Sequence, residues 1–409
     1  MRRLWLCLMS LLLLVSCSDE IPENPVVKDA GRTVLAYIVS NNKAGGNLDA
    51  DLKKNVCDMY KGLVANKKAS NLLVYYRPYP NDESLENPSI LKFASDGKGH
   101  INGKPALVDR YVRVEDVLAQ AEVHPYVDSN HIATDPNVMT KVFKDMIGLA
   151  PSKSYGLTFG SHGTGWLEGN SVQTRSFGDD NTYSIDIPEL AQALKNAFTN
   201  EKVDYILFDA CMMANAEVAY ELRDVTDYCV GSVLETSVYG FPYEDIMGAL
   251  FAENVNYQQI CDMFIEFNKQ KKAWGTCAAI NCSKMQELAD WVKVNLDVYK
   301  DVLFTDYLEN VQQYGRGRFY GYSYDIVDVF RQMTGQEPDE LNKLMDEVVV
   351  AKNCLSGEEY IFANLIIDQN RFCGMGMYLP YRINNEYWDT YYTSSLNWAK
   401  AVEWTKYRP

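Results

Sequence analysis

Ser154-Tyr-Gly-Leu-Thr-Phe-Gly-Ser-His162-Gly163-Thr-Gly-Trp166 is a strand-like run that ends on a histidine, and Val203-Asp-Tyr-Ile-Leu-Phe-Asp209-Ala-Cys211 is a second run that ends on a cysteine 49 residues further on. Between them, Ile185 to Phe198 carries apolar residues at helical spacing, and a helical pattern over 211–222 follows the cysteine directly. Strands that alternate with helical segments of this length indicate βαβ units and a largely parallel sheet covered on both faces. In such sheets, function collects beyond the carboxyl ends of the strands. The two readings therefore put His162 and Cys211 on the same edge of one sheet.

The pattern extends outward from there. Thr33 to Val39 and Asn71 to Tyr76 read as buried strands, separated by a helix that Asn47 can cap. Pro136 opens a helix to about Leu149, and the stretch from Leu167 to Ser184 reads as a polar loop. Tyr228 to Leu234 and Trp274 to Asn281 are further strands, with helices near 256–270 and 283–300. Beyond residue 300 the pattern is mostly helical, clearest over Asp339 to Lys352. The expected organisation is an α/β core over 31–290 and a helix-rich C-terminal part, 291–409, completing or packing on it.

The N-terminus stands apart. Arg2-Arg3 precede an apolar stretch from Leu4 to Val15, too short to span a bilayer and suited to a signal peptide. It ends in Leu14-Val15-Ser16-Cys17, which resembles a bacterial lipobox in which Cys17 becomes the lipidated first residue. Residues 1–17 thus read as a lipoprotein signal peptide and 18–30 as a flexible tether. The start Cys17-Ser18-Asp19-Glu20 resembles the acidic export signals of surface lipoproteins in Bacteroides-like bacteria. The expectation is an exported, lipid-anchored protein of a Gram-negative cell envelope, at the outer membrane or cell surface, touching membrane only through its N-terminus.

Charge excludes one class of partner. The 409-residue chain carries a formal net charge of −16; without Arg2 and Arg3, 37 of its 39 basic residues face 55 acidic ones, a net of −18. No basic cluster remains to grip phosphates, so no nucleic-acid partner is expected. Besides Cys17, eight cysteines follow from Cys57 onward. With Cys211 set aside as a nucleophile, seven remain, an odd number that argues against a full disulfide framework. Cys277 and Cys282 have four residues between them and no nearby histidine, so no zinc site is expected. His100, His124 and His131 fall in loop-like stretches without a partner pattern.

A single cysteine after an apolar run is more often core than catalytic. A cysteine and a histidine at the ends of two strands of one sheet are a rarer coincidence, and they are the minimum equipment for nucleophilic acyl transfer. The thiolate is the working nucleophile, and a helix starting at Cys211 favours the anion. His162 serves as general base and then as acid toward the leaving amine. Gly163 lets its N–H approach a developing oxyanion closely, together with the N–H of Cys211.

Ser161-His162-Gly163-Thr164-Gly165-Trp166 together with Asp209-Ala210-Cys211-Met212-Met213-Ala214 resembles the clostripain family of cysteine peptidases, relatives of caspases, legumain and gingipains. The resemblance implies a caspase-like α/β/α sandwich, protein or peptide substrates, and hydrolysis of peptide bonds by His162 and Cys211. It carries over to Asp209 a role in lining the pocket for an Arg or Lys side chain. The family's second acid, in the loop after the next strand, has only Glu235 as counterpart in Glu235-Thr-Ser-Val-Tyr-Gly-Phe-Pro-Tyr243. Some members cleave themselves between histidine and cysteine, which here points to Arg175–Ser176. Calcium dependence is a trait of some members, but no calcium loop is visible, and no cofactor or metal is expected. Two further readings share the fold: a non-catalytic surface lipoprotein that binds protein or glycan, and a transferase or ligase using the same pair.

Overall fold

The computed structural model describes residues 31–41, 47–80, 82, 84–109, 111–168, 176–199, 201–360 and 364–408. The stretches expected to form a signal peptide with Cys17 and a tether, and Arg175, lie outside these residues.

Fifteen strands are present in the described residues. In chain order they are β1 Thr33–Val39, β2 Ser70–Arg77, β3 Ser89–Ser95, β4 His100–Ile101, β5 Lys104–Pro105, β6 Glu122–Pro125, β7 Tyr155–Gly160, β8 Phe177–Asp180, β9 Tyr183–Ile185, β10 Val203–Asp209, β11 Thr226–Gly231, β12 Thr276–Asn281, β13 Tyr324–Asp325, β14 Val349–Cys354 and β15 Gly376–Met377. The helices are α1 Asp49–Ala65, α2 Val114–Gln120, α3 Pro136–Leu149, α4 Ile187–Ala197, α5 Ala216–Leu222, α6 Tyr243–Phe251, α7 Tyr257–Gln270, α8 Met285–Val298, α9 Ile326–Thr334, α10 Asp339–Val348, α11 Glu386–Ser395 and α12 Asn397–Ala401.

One sheet organises the molecule. Its order is β14-β12-β11-β10-β7-β1-β2-β3-β4-β5, with β6 also on β3. The five strands from β11 to β2 run parallel, and antiparallel pairs close both flanks. The chain enters at β1, winds one way to β2, then returns to β7 on the other side of β1 and continues to β10 and β11. The order thus reverses between β1 and β7, which opens a crevice at the carboxyl ends of those strands.

The continuous apolar runs follow from burial on both faces. In β1, Leu35, Tyr37 and Val39 join a core with α3, α4, α5, α8 and the C-terminal elements. The alternate residues Val34, Ala36 and Ile38 join a second core with α1, α6 and α7. Each of the Val, Leu and Ile side chains contributes about 1.5–3 kcal/mol on burial. Among the described residues, those beyond 300 build no core of their own. Trp388, Tyr392, Trp398 and Trp404 fill the first of the two cores, and β14 supplies the sheet's edge.

Three expectations change. The stretch read as a loop from Leu167 to Ser184 contains the hairpin β8–β9. The helix expected to run to Lys352 stops at Val348, and the chain turns into β14, where β-branched Val349 and Val350 favour extended backbone. The helix expected to start at Cys211 starts at Ala216.

Candidate active site

The site forms at the crevice. Ser161 and His162 directly follow β7, Asp209 ends β10, and Cys211 lies in the turn beyond it. His162, Asp209 and Cys211 line one cavity of about 250 Å³. Its other walls come from Asn47, Leu48, Asp51, Leu52 and Asn55 at the start of α1, and from the 236–240 segment after β11. The ends of β7, β10 and β11 and the start of α1 therefore converge on the space between histidine and cysteine.

The histidine is held from both sides. Ser161 Oγ donates to Val39 O at 2.8 Å, fixing the segment to β1. The His162 carbonyl accepts from Gly178 N at 2.9 Å, and Thr164 N donates to Ser176 O at 3.2 Å, so the hairpin β8–β9 clamps the loop. These two bonds frame a bridge between Gly163 and Phe177 and do not use the Gly163 N–H.

The two glycines are explained by close approach. A Cβ on Gly163 would stand 3.1 Å from both Cys211 O and Ala210 Cβ. Gly165 has φ +62°, and a Cβ there would stand 1.9 Å from Tyr322 Oη and 2.4 Å from Met212 O. Trp166 is fully buried, stacked on Tyr322 with ring centroids 5.5 Å apart and packed against Tyr378, Trp388 and Tyr392. The histidine loop is thus pressed onto the cysteine turn by aromatic residues from the C-terminal part.

The cysteine turn is not helical. Met212 adopts φ +57°, and its N–H goes to Leu234 O at 2.9 Å while Ala214 N goes to Ser232 O at 3.0 Å. Pairing with the 232–234 segment delays the helix, which Asn215 then caps through Val218 N. Asn215 also donates from Nδ2 to Met212 O at 2.8 Å and to Tyr322 Oη at 3.0 Å. A helix terminus therefore does not stabilise the Cys211 thiolate. Instead Thr236 N–H donates to Sγ at 3.3 Å, and Thr236 Oγ1 donates to Ala210 O at 3.0 Å. Burial pushes the thiol up to about 12, aided by the charges of Glu235 and Asp209 and opposed by Thr236 N–H and Arg316.

Asp209 is buried beside it. Its carboxylate accepts from Asn55 Nδ2 at 3.0 Å, and Gly240 packs so close that a Cβ there would stand 2.6 Å from Oδ2. Burial raises Asp209 to about 7, against the stabilising donors Phe241 N–H and Tyr243 Oη. Glu235 does not enter the cavity's lining. It pairs with Arg316 at 2.7 Å, and its carbonyl accepts from Trp274 Nε1 at 2.8 Å. Ser176 is fully buried, with Oγ bonded to Leu167 O and Asp186, in contrast to the exposed loop expected there.

Sequence reasoning missed Asn55, Thr236 and Asp51. None sits in a recognisable motif. The available signal was positional: α1 follows β1, the strand at which the sheet order reverses, and so must face the crevice.

All eight cysteines from Cys57 to Cys373 are free thiols. Among the described residues, no group of three or more His, Cys, Asp or Glu side chains is placed to hold a metal. Among the same residues, no helix is long and apolar enough to cross a membrane.

Comparison with known proteins gives the class: the chain is a cysteine-type peptidase. It belongs to the clostripain family, whose sequence pattern it matches over residues 36–407. It is similar to a secreted C11 cysteine protease of Bacteroides thetaiotaomicron solved with an irreversible peptide inhibitor, at 25% identity and a TM-score of 0.69, covering 92% of this chain and 99% of that one. The fold is also that of an inactive zymogen C11 protease from Parabacteroides distasonis, at 23% identity and a TM-score of 0.67, covering 93% and 99%. No curated protein sequence matches the chain. The family membership sets aside the reading as a non-catalytic binding lipoprotein.

Proposed function

We propose that the protein is an endopeptidase that cleaves after Arg or Lys with a dyad of Cys211 and His162. One observation carries the proposal: both residues, from separate strand ends, line one cavity with the buried acid Asp209. Cys211 Sγ bonds to the peptide carbonyl carbon as its proton passes to His162. The carbonyl oxygen takes the negative charge and is held by the N–H groups of Gly163 and Cys211. His162 then gives the proton to the leaving amine, and water releases the acyl group by the reverse path. The raised thiol requires that His162 accept the proton as the bond forms, because a free thiolate is scarce at neutral pH.

Support for a basic substrate comes from acidic side chains in the cleft, with no Lys or Arg among the described residues of its lining. Export with a lipid on Cys17 forms part of the same reading. It rests on the Leu14-Val15-Ser16-Cys17 stretch and agrees with the secreted relative. So does self-cleavage between Arg175 and Ser176. Because Ser176 is buried, that cut requires Ser176 to leave its seat first.

The test is a fluorogenic peptide panel with Arg, Lys and uncharged residues at the cleaved position, run beside Cys211→Ala. Cleavage after Arg and Lys, abolished in the variant, is the expected result. Wild type no faster than Cys211→Ala on every peptide refutes the proposal. Denaturing gels of the same two proteins report self-cleavage: wild type splits and the variant stays whole.

A further inference from the structure

We infer that Asp51 is a specificity residue of this cleft, its carboxylate receiving the cationic side chain of the bound substrate beside Asp209. The inference rests on the peptidase reading above and adds a residue to it. The family resemblance places a second acid on the loop after β11, but in this chain that acid, Glu235, is neutralised by Arg316 and stays out of the lining. A carboxylate reaches the cleft from the opposite wall instead. Asp51 lies in the first turn of α1 and lines the cavity together with Leu48, Leu52 and Asn55, one face of that helix.

The neighbouring charges single Asp51 out. Lys53 pairs with Asp49 at 2.8 Å and with Asp82 at 2.6 Å, and Lys54 pairs with Asp58. Both adjacent lysines are thereby turned to other acids. Asp51 forms no ion pair among the described residues and is half-buried. Asp209, by contrast, is almost sealed and already bonded to Asn55, Tyr243 and Phe241. Among its described residues the cleft therefore holds two acids in different states: one deep and saturated with donors, one nearer the solvent and without an ion-pair partner. A long basic side chain that enters meets Asp51 first. A half-buried pair of this kind gains from the low-dielectric wall and still weakens with salt.

Two peptides identical except for Arg or its uncharged isostere citrulline at the cleaved position test this, with wild-type enzyme, Asp51→Asn and Asp51→Glu. For Asp51→Asn, kcat/KM on the Arg peptide is expected to fall about five- to ten-fold, while the citrulline peptide changes less than about two-fold. Asp51→Glu is expected to keep most of the Arg preference. Added salt should erode the preference of wild type more than that of Asp51→Asn. Wild type that prefers Arg with an Asp51→Asn variant that prefers it equally overturns this inference alone, as does an equal loss on both peptides. Wild type that cleaves neither peptide, or both alike, overturns the basic-substrate reading along with it.

Discussion

Thr236 N–H points at Cys211 Sγ across 3.3 Å, and it is the hydrogen bond that supports the sulfur from the strand side. One neutral donor does not offset burial, and the thiol stays raised to about 12. For a raised thiol the ionised fraction is small at neutral pH and grows with alkalinity. Alkylation of the resting enzyme by iodoacetamide at Cys211 should therefore climb steadily from pH 7 through pH 10. Quantified by mass spectrometry of the Cys211 peptide, a plateau below pH 8 would show that another group already stabilises the thiolate.

Asn55 Nδ2 sits 3.0 Å from Asp209 Oδ2, so α1 supports a carboxylate poised near neutrality. If Asp209 must be ionised to receive an Arg side chain, kcat/KM on Arg peptides rises through about pH 7, and citrulline peptides lack that limb. Asn55→Ala removes a donor to the charged form, which raises Asp209 further. The limb should move to higher pH, and folding stability should drop by about 1–3 kcal/mol. Paired pH profiles on the two peptides check the first effect, and urea denaturation checks the second.

Gly165 holds the histidine loop against the cysteine turn. Gly165→Ala places a Cβ where Tyr322 Oη and Met212 O already stand, at a backbone angle of φ +62°. The left-handed conformation costs about 1–2 kcal/mol and the overpacking about 1–3 kcal/mol more. Thermal melting should fall accordingly, and activity should fall further than stability alone requires, because the clash pushes His162 and Cys211 apart. Full activity at a temperature where the variant is folded would contradict this.

Much of this arrangement is legible in the residues, and the exceptions have physical causes. The runs 154–162 and 203–211 announce buried parallel strands, and strand ends place His162 and Cys211 on one edge without coordinates. The start of the helix after Cys211 is misread because local spacing over 211–222 is helical, whereas Met212 and Ala214 pair with Leu234 and Ser232, residues about 20 positions away. The same limit hides Asn55 and Asp51. Nothing near them in sequence says that α1 borders the cleft. That follows only from the reversal of strand order at β1 and β7.

Glu217 supplies a prediction about the C-terminal part. It is fully buried on α5, four residues before Glu221, and accepts from Tyr378 N and Tyr392 Oη at 2.8 Å each. Glu221 in turn accepts from Asn397 and Trp398 N–H groups, so two carboxylates of α5 hold the segments that press Trp166 onto the site. Burial raises Glu217 from 4.5 to about 7. Between those values the folded protein binds a proton that the unfolded chain has lost, so this group's contribution makes stability fall as pH rises from about 4.5 to 7. The effect reaches about 3 kcal/mol at most, since one pKa unit corresponds to about 1.4 kcal/mol. Glu217→Gln keeps the shape and removes the titration. Its melting temperature should lose less than wild type's between pH 5 and pH 8, and the two curves should converge at the acid end. Parallel curves across that range would mean that Glu217 does not change its protonation on unfolding.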